Sequence, residues 1–194
     1  MIVGNLGNLE ILLLACDDGD IIAYYTHNIQ AAIGSGSERQ QEIQPFFHDN
    51  VGISAWGLAV HEQSRLIAVS SNNREVVIFA FGCTTGSRPS SIVCDLELSD
   101  LSQLDLIDTR DVLFPTITQA QSTDRSNNFR KVLKLGVEGH NIPSIDFSNG
   151  SNGEAHSVLA TDIVGNLWIL DIWGDEVKRM PTIQKVPTRG NSVM

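Results

Sequence analysis

The sequence predicts an all-β protein, because one two-strand pattern occurs three times along its 194 residues. In each copy an apolar run leads into a tight turn of small or polar residues. A second apolar strand rich in Val, Ile and aromatic residues then follows. The copies are ILLLACDDGDIIAYYTH (11–27), RLIAVSSNNREVVIFAF (65–81) and SVLATDIVGNLWILDIW (157–173). Asp-Gly in the first turn is a strong hairpin signal. We therefore expect three hairpins built on one plan.

The turns of the three copies can be aligned with one another. The aligned turn pairs are Asp18-Gly19, Asn73-Arg74 and Val164-Gly165. A large apolar residue follows each pair at the same distance, namely Tyr24, Phe79 and Leu170. This agreement indicates a repeated supersecondary unit and not three unrelated strand pairs.

Two of the copies also carry strands upstream of the hairpin. ISAWGLAVH (53–61) and IPSIDF (142–147) each read as an inner strand, and each is preceded by a further strand and a loop. Four-stranded units that repeat about every 40–45 residues are typical of WD-type propellers. The Gly-His pair at 139–140 and the later LDIW also resemble the WD signature. The predicted fold class is an all-β, WD40-like β-propeller that is incomplete, with about three blades.

Spacing along the chain sets the predicted blade boundaries. The blades are expected at about 1–50, 51–138 and 139–183, followed by a flexible tail at 184–194. The second blade is too long for one repeat and contains an acidic stretch at 83–126, which we interpret as an insertion. A degenerate fourth blade is the alternative for that stretch.

Three blades are fewer than the 4–8 with which propellers usually close. The chain could be a fragment of a longer protein, one member of an assembly of several chains, or a half whose partner is absent. Open sheet edges favour association, so self-association of the chain is a further expectation.

Loops of a propeller are the expected place for binding groups, because a rigid scaffold presents them to solvent. The predicted partner-binding residues are His48, Asp49, Asn50, Asp18, Asn72, Arg74 and Asn141. In WD repeats a histidine, a Ser or Thr, an Asp and a Trp form a hydrogen-bond network. Here Val164 and Leu170 align with the Asp and Trp positions, so His140 and Thr161 are expected as the remaining structural residues. Trp56 is expected to pack in the core.

The sequence offers no motif for catalysis or for cofactor binding. It lacks HExxH, CxxC, GxSxG and GxxxxGK[ST] patterns, so we expect no enzyme activity, no metal site and no cofactor. The formal net charge of −10 argues against direct contact with nucleic acid. No apolar run is long enough to span a bilayer, and three widely spaced cysteines fit reduced thiols. We expect a nuclear or cytoplasmic protein that is not secreted.

Several long stretches resemble a known family. SAWGLAVHEQSRLIAVSSNNREVVIFAF (54–81), LKLGVEGHNIPSIDF (133–147), ATDIVGNLWILDIW (160–173) and, more weakly, ACDDGDIIAYYT (15–26) carry the likeness. They are similar to a fungal WD-repeat family named for constitutive transcription of ribonucleotide reductase genes. The resemblance implies a nuclear, non-enzymatic propeller that affects ribonucleotide reductase expression and is linked to a cullin-type ubiquitin ligase.

The functional hypothesis is therefore a non-catalytic interaction scaffold whose partners are other proteins. Two alternatives remain open from the residues alone. One is a propeller enzyme of the hydrolase or lyase type, with a site on the axis. The other is a fragment without a function of its own.

Overall fold

The computed structural model describes residues 1–34, 42–82, 114, 116–117, 125 and 127–180. The elements in chain order are β1 (Ile2–Leu6), β2 (Leu9–Ala15), β3 (Asp20–Tyr25), α1 (Thr26–Gly34), β4 (Phe47–Asn50), β5 (Ala55–His61), β6 (Leu66–Ser71), β7 (Glu75–Ala80), β8 (Thr116–Ile117), β9 (Phe129–Lys134), β10 (Ser144–Asn149), β11 (Ala155–Thr161), β12 (Leu167–Asp171) and β13 (Val177–Met180). Most of the predicted insertion at 83–126 and the whole predicted tail at 184–194 lie outside the described residues.

The strands form three sheets that follow one another along the chain. Sheet A has the order β1-β2-β3-β4, and sheet C has the order β10-β11-β12-β13. Sheet B has the order β5-β6-β7-β9, with the two-residue β8 added parallel to β9 at its outer edge. All other neighbours are antiparallel. The prediction of an all-β fold is confirmed, and the repeated hairpins are β2–β3, β6–β7 and β11–β12.

Two apolar clusters join the sheets. One lies between sheets A and B and includes Ile11, Leu13, Ile21, Phe47 and Phe79. The other lies between sheets B and C and includes Leu66, Ile78, Ile142, Val158 and Leu170. Sheet B is thus covered on both faces, and every residue of β6 is buried. In sheets A and C only alternate residues of the strands β2, β3 and β12 are buried, because one face of each sheet points outward.

Three described elements are not anticipated by the sequence pattern. β1 contains Gly4 and Asn5, which are poor strand formers, and it becomes a strand by pairing with β2 along its whole length. β13 pairs with β12 in the same way. The helix α1 has no buried residue, so its sequence carries little amphipathic signal. Within the described residues, no helix is long and apolar enough to cross a membrane.

Candidate functional site

The three tight turns lie at one end of the sheets, beside the loops that lead into β5 and β10. We call this the turn end, and it consists of residues 16–19, 51–54, 71–74, 135–143 and 162–165. In each turn the amide of the fourth residue donates to the carbonyl of the first, at 3.0, 3.2 and 3.0 Å. The fourth residue is left-handed each time, with φ of 90° at Gly19, 62° at Arg74 and 88° at Gly165. The turns are therefore equivalent, as their alignment predicts.

Hydrogen bonds connect the turn end from sheet to sheet. The amide of Ala55 donates to the carbonyl of Cys16 at 3.2 Å, and the amide of Asn72 donates to the carbonyl of Ile53 at 3.1 Å. Farther along, the amide of Ile163 donates to a carbonyl of the loop into β10 at 3.0 Å. Each of these loops is thus held by a neighbouring turn.

Three of the predicted partner-binding residues meet at the sheet A side of the turn end. The exposed His48 has its Nε2 3.2 Å from a carboxylate oxygen of Asp20. The side-chain amide of Asn50 donates to the other Asp20 oxygen at 2.7 Å and to the Asp18 carbonyl at 3.2 Å. These polar groups hold β4 against the β2–β3 turn. Any binding role for them stays a prediction.

Asp49 was predicted as a partner-binding residue, but its side chain is buried and only 3% exposed. One carboxylate oxygen accepts from the amide of Asn50 and lies 3.7 Å from a guanidinium nitrogen of Arg130. Arg130 in turn lies over the ring of Phe79, 5.7 Å from its centroid. Asp49 points inward because β4 alternates, and it joins sheet A to sheet B instead of facing solvent.

The remaining predicted residues are spread over sheets B and C. Arg74 is exposed, whereas Asn72 and Asn141 are half-buried. The Oδ1 atom of Asn72 is buried and has no hydrogen-bond partner among the described residues. The carbonyl of Asn141 accepts the bond that joins its loop to the β11–β12 turn. The fold brings these residues to the turn end, and their function stays a prediction.

The hydrogen-bond network expected around His140 and Thr161 is centred elsewhere. Both residues are exposed, and no hydrogen bond joins the His140 ring to another described side chain or backbone group. The buried Asp162 accepts instead from Trp168 Nε1 and from Asn166 Nδ2, each at 2.9 Å. The aspartate therefore stands at the first position of the turn. The sequence alignment assigns Val164 and Leu170 to the Asp and Trp positions of the network. This assignment is wrong, because Asp162 and Trp168, each two residues earlier, form the hydrogen bond.

The environment of Asp162 favours its charged form. Burial raises the pKa of this carboxyl, but hydrogen bonds from Trp168, Asn166 and the backbone of Val164 outweigh burial, and the net pKa is lowered. Arg179 donates to the side-chain carbonyl of Asn166 at 3.0 Å and lies over the Trp168 ring. This arrangement is a structural network in which Asp162 is only 4% exposed.

A β-bulge presents Trp56 at the turn end. The register of β5 against β6 shifts between Ala55 and Leu58, so Trp56 and Gly57 lie in the irregular part of the strand. The amide of Gly57 donates to the hydroxyl oxygen of the buried Ser70 at 2.8 Å. That hydroxyl donates at 2.6 Å to a carbonyl of the loop leading into β10. The bulge is thus fixed from two sides.

The structure corrects the expected place of Trp56, whose side chain is 43% exposed. Its indole Nε1 donates at 2.8 Å to the hydroxyl of Ser54, a residue held in the left-handed region with φ of 49°. Such strain in a residue other than glycine is often found at functional sites. Two small residues of β5, Gly57 and Ala59, face sheet C, and a Cβ at Gly57 would lie 3.2 Å from Ile145 of β10, so β10 can approach closely only because Gly57 has no side chain.

Trp56 borders a cavity of about 180 Å³ where β1, β5 and β10 approach one another. We call it the Trp56 cavity. Its walls include the side chains of Ile2, Trp56, Leu58 and Pro143. Polar atoms make up more of the surface that lines the cavity than apolar atoms do, although several of the lining residues are apolar.

Exposed apolar residues also stand in the loops and turns of the turn end. Ile53, Val137, Ile163 and Val164 are all exposed. Two exposed acids, Asp17 and Asp18, stand on the β2–β3 turn at the sheet A side. Large apolar side chains grouped at one end of a protein and edged by polar groups are a mark of interaction sites.

A wider cavity of about 570 Å³ lies at the opposite end of the sheets. It is lined by residues with polar side chains, among them Asn8, His61, Gln63 and Asn149, but most of the lining surface comes from apolar atoms. The Nδ1 atom of His61 accepts from the amide of Ser64 at 3.0 Å, which leaves the proton on Nε2 to donate to Asn149 Oδ1 at 3.0 Å. This histidine is used to join sheets B and C. Within the described ranges, no three His, Cys, Asp or Glu residues are grouped so that they could hold a metal ion.

Comparison with known proteins gives one family. A family model described as CRT10 matches residues 2–183 of the chain. No curated protein matches the chain. The matched stretch includes all three sheets and the whole turn end.

Proposed function

Because the chain belongs to the CRT10 family, a fungal family of regulators of ribonucleotide reductase transcription, we propose that it is a non-catalytic interaction scaffold in that regulation. In this proposal the three sheets are blades of a WD-type propeller. The turn end is its binding surface for other proteins.

The observation that carries the proposal is the exposed apolar group at the turn end. Ile53 is 68% exposed, and Trp56, three residues later in the chain, is 43% exposed. Exposing such side chains is unfavourable in water, so they are well suited to be covered by a partner. Their backbone is held by hydrogen bonds between the sheets, which limits the entropy lost on binding.

The charge of the chain supports protein partners over nucleic acid. With 23 acidic and 13 basic side chains, the formal net charge is −10, and phosphate backbones are repelled on average. Self-association is also part of the proposal, because the outer face of sheet A carries the half-buried Leu12, Leu14 and Ile22. We further propose a nuclear regulatory complex with the link to a cullin-type ubiquitin ligase that the family resemblance implies.

The experiment compares two substitutions of exposed isoleucines. Ile53→Asp alters the turn end, and Ile33→Asp is the matched control in α1, where the side chain is also exposed. Each variant replaces the natural copy in the fungal host, and ribonucleotide reductase transcripts are measured together with the level of the protein. We expect Ile53→Asp to lose regulation at a normal protein level and Ile33→Asp to behave as the unaltered chain.

Two results would count against this function. In one, Ile53→Asp regulates transcripts as well as the unaltered chain does. In the other, both variants fail equally at normal protein levels, which would mean that the loss of regulation does not depend on the turn end. Copurification of a cullin with the unaltered chain, and its loss with Ile53→Asp, tests the ligase link separately.

A further inference from the structure

We propose that two copies of this chain stack head to tail, so that the outer face of sheet C of one copy packs on the outer face of sheet A of the other. Because each copy has both faces, two such contacts close a ring. The inference rests on the proposed function, in which the three sheets are propeller blades. It adds a second copy of the chain as the partner of both outer faces.

The three sheets stack on one another in one repeated way. When the three equivalent turns are aligned, Ile11 and Ile21 of sheet A correspond to Leu66 and Val76 of sheet B. Ile11 and Ile21 lie in the apolar cluster between sheets A and B, and Leu66 and Val76 lie in the cluster between sheets B and C. Equivalent residues therefore face the following sheet in both contacts, as expected of stacked repeats.

The outer face of sheet C is equivalent to the face of sheet B that packs on sheet C. Ala68 and Ile78 belong to that face of sheet B and are fully buried. Their counterparts in the alignment are Leu159 and Ile169, which are only half-buried. They alternate along their strands with residues that face sheet B, so they point away from it. The apolar residues of this outer face are Leu159, Leu167, Ile169 and Met180.

The outer face of sheet A is equivalent to the face of sheet B that packs on sheet A. Val77 and Phe79 belong to that face of sheet B and are fully buried. Their counterparts are the half-buried Ile22 and Tyr24. The apolar residues of this outer face are Val3, Leu12, Leu14, Ile22 and Tyr24. The two outer faces are thus the two halves of the contact that joins sheets within the chain, and each complements the other better than itself.

A lysine stands at the same position of sheets B and C. Lys131 and Lys178 pair with equivalent residues of β7 and β12. Lys131 is only 3% exposed, and its Nζ donates at 3.1 Å to the carbonyl of Ile172, directly after β12 in the neighbouring sheet. The amide of Ile172 donates to the carbonyl of His156 at 3.3 Å. Lys131 therefore joins sheet B to the part of sheet C that lies next to His156.

Glu10 lies where a second copy would receive Lys178. In the alignment Glu10 corresponds to His156, and it is exposed on the outer face of sheet A. Lys178 is 2.9 Å from Glu176, and both side chains are more than half exposed, so this surface pair is exchanged at little cost. A Lys178–Glu10 ion pair would then stand at each of the two contacts. Opposite charges there favour the head-to-tail orientation over other orientations.

The number of sheets agrees with closure of a ring. Contacts between unlike faces form either a closed ring or an open filament, depending on the rotation between copies. Each copy contributes three sheets, so two copies contribute six. This number is inside the range of about 4–8 with which propellers close. A dimer is therefore the expected assembly.

Sedimentation equilibrium of the purified full chain measures the assembly, and we expect dimers of the 21.2 kDa chain. Val3→Asp alters the outer face of sheet A, where Val3 is 60% exposed, and Met180→Asp alters the outer face of sheet C, where Met180 is 45% exposed. Each change should raise the dissociation constant by about tenfold or more, because it puts an unpaired charge into both contacts. Ile33→Asp in α1 is the matched control and should dimerise as the unaltered chain does.

Mixing Val3→Asp with Met180→Asp tests the head-to-tail arrangement. In a mixed dimer one contact contains both altered faces and the other contains neither. The mixture should therefore dimerise at concentrations at which each variant alone is a monomer. In a symmetric contact between two A faces, by contrast, Met180→Asp would have no effect and mixing would restore nothing.

Exchange of two charges tests the Lys178–Glu10 pair. Lys178→Glu and Glu10→Lys should each weaken dimerisation by about two- to tenfold at low salt and by less at high salt. The chain with both changes should regain most of the lost affinity. A double variant weaker than either single variant would contradict the pairing. Circular dichroism on every variant verifies the fold.

The inference is overturned if the unaltered chain sediments as a monomer at every concentration or forms open assemblies larger than a dimer. It is also overturned if the mixture of Val3→Asp and Met180→Asp associates no better than each variant alone. These results would leave the turn end as the binding surface as long as Ile53→Asp still abolishes transcript regulation. Conversely, dimers of the unaltered chain together with normal regulation by Ile53→Asp would remove the proposed function but keep the contact.

Discussion

Replacing Asp162 with alanine is expected to lower the free energy of unfolding by about 2–5 kcal/mol. The carboxylate accepts four hydrogen bonds, from the amides of Val164 and Asn166 at 3.1 and 2.9 Å and from the side chains of Asn166 and Trp168 at 2.9 Å each. Trp168 and Asn166 are 4% and 5% exposed, so water cannot easily replace the lost acceptor. Each buried donor left without a partner costs about 1–3 kcal/mol.

Urea unfolding followed by circular dichroism and by tryptophan fluorescence measures this change. The midpoint should fall while the slope against urea stays the same, because the surface exposed on unfolding is unchanged. Trp168→Phe removes one donor together with its need for an acceptor and should cost less than Asp162→Ala. The double variant should cost less than the sum of the two single changes, since the two groups are bonded to each other.

The same carboxyl predicts a dependence of stability on pH. Its pKa in the folded chain is lowered from the ordinary value of 3.8, so the folded state holds the proton less tightly than the unfolded state does. The stabilisation is therefore present above pH 3.8 and is lost as the pH falls through the lower folded value. Asp162→Asn should remove this part of the acid sensitivity.

A cost below about 1 kcal/mol for Asp162→Ala would refute the reasoning, because it would mean that the buried donors find other partners. Strict additivity of Asp162→Ala and Trp168→Phe would refute it as well. Either result would make the observed hydrogen bonds a poor guide to the energetics of sheet C.

Three further substitutions test the turn end and the bulge beside it. Gly19→Ala should lower the free energy of unfolding, measured in urea, by about 3 kcal/mol or more, because a Cβ there would lie 1.6 Å from a backbone carbonyl oxygen. At Gly136 a Cβ would have no neighbour within 4 Å. Gly136→Ala should therefore cost only the strain of the left-handed backbone, about 1–2 kcal/mol. Equal costs would contradict this. Ser70→Ala should cost about 1–3 kcal/mol and shift the fluorescence of Trp56, because the hydroxyl fixes the bulge; an unchanged spectrum would show that the bulge does not depend on it.

The sequence predicts the local parts of the fold well. Alternating apolar residues and turn residues act over a few positions, so the three hairpins and even the left-handed positions of their turns are readable. Arg74 is the instructive case, because it takes the left-handed place that glycine holds in the other two turns. Its alignment with Gly19 and Gly165 predicts the conformation although its residue type does not.

The parts that the sequence does not reveal depend on contacts with neighbouring strands and sheets. β1 is a strand because β2 is beside it, and Trp56 faces outward because a bulge and the approach of β10 turn it there. The sequence pattern places the hydrogen-bond network of Asp162 at the wrong residues for a different reason. A repeat alignment fixes the turn pair, but the acceptor lies two residues before it, and only the hydrogen bonds show which aspartate serves.

The double covering of sheet B has a consequence for synthesis of the chain on the ribosome. β7 and the residue after it read EVVIFAF (75–81), a β-prone apolar segment of the kind that aggregates when exposed. Sheet C, which covers one of its faces, is complete only at Met180, about 100 residues later, and so roughly 5–20 s later at common synthesis rates. Arg74 directly precedes this segment and Glu75 is its first residue, and both stand where charged gatekeeper residues protect a nascent strand.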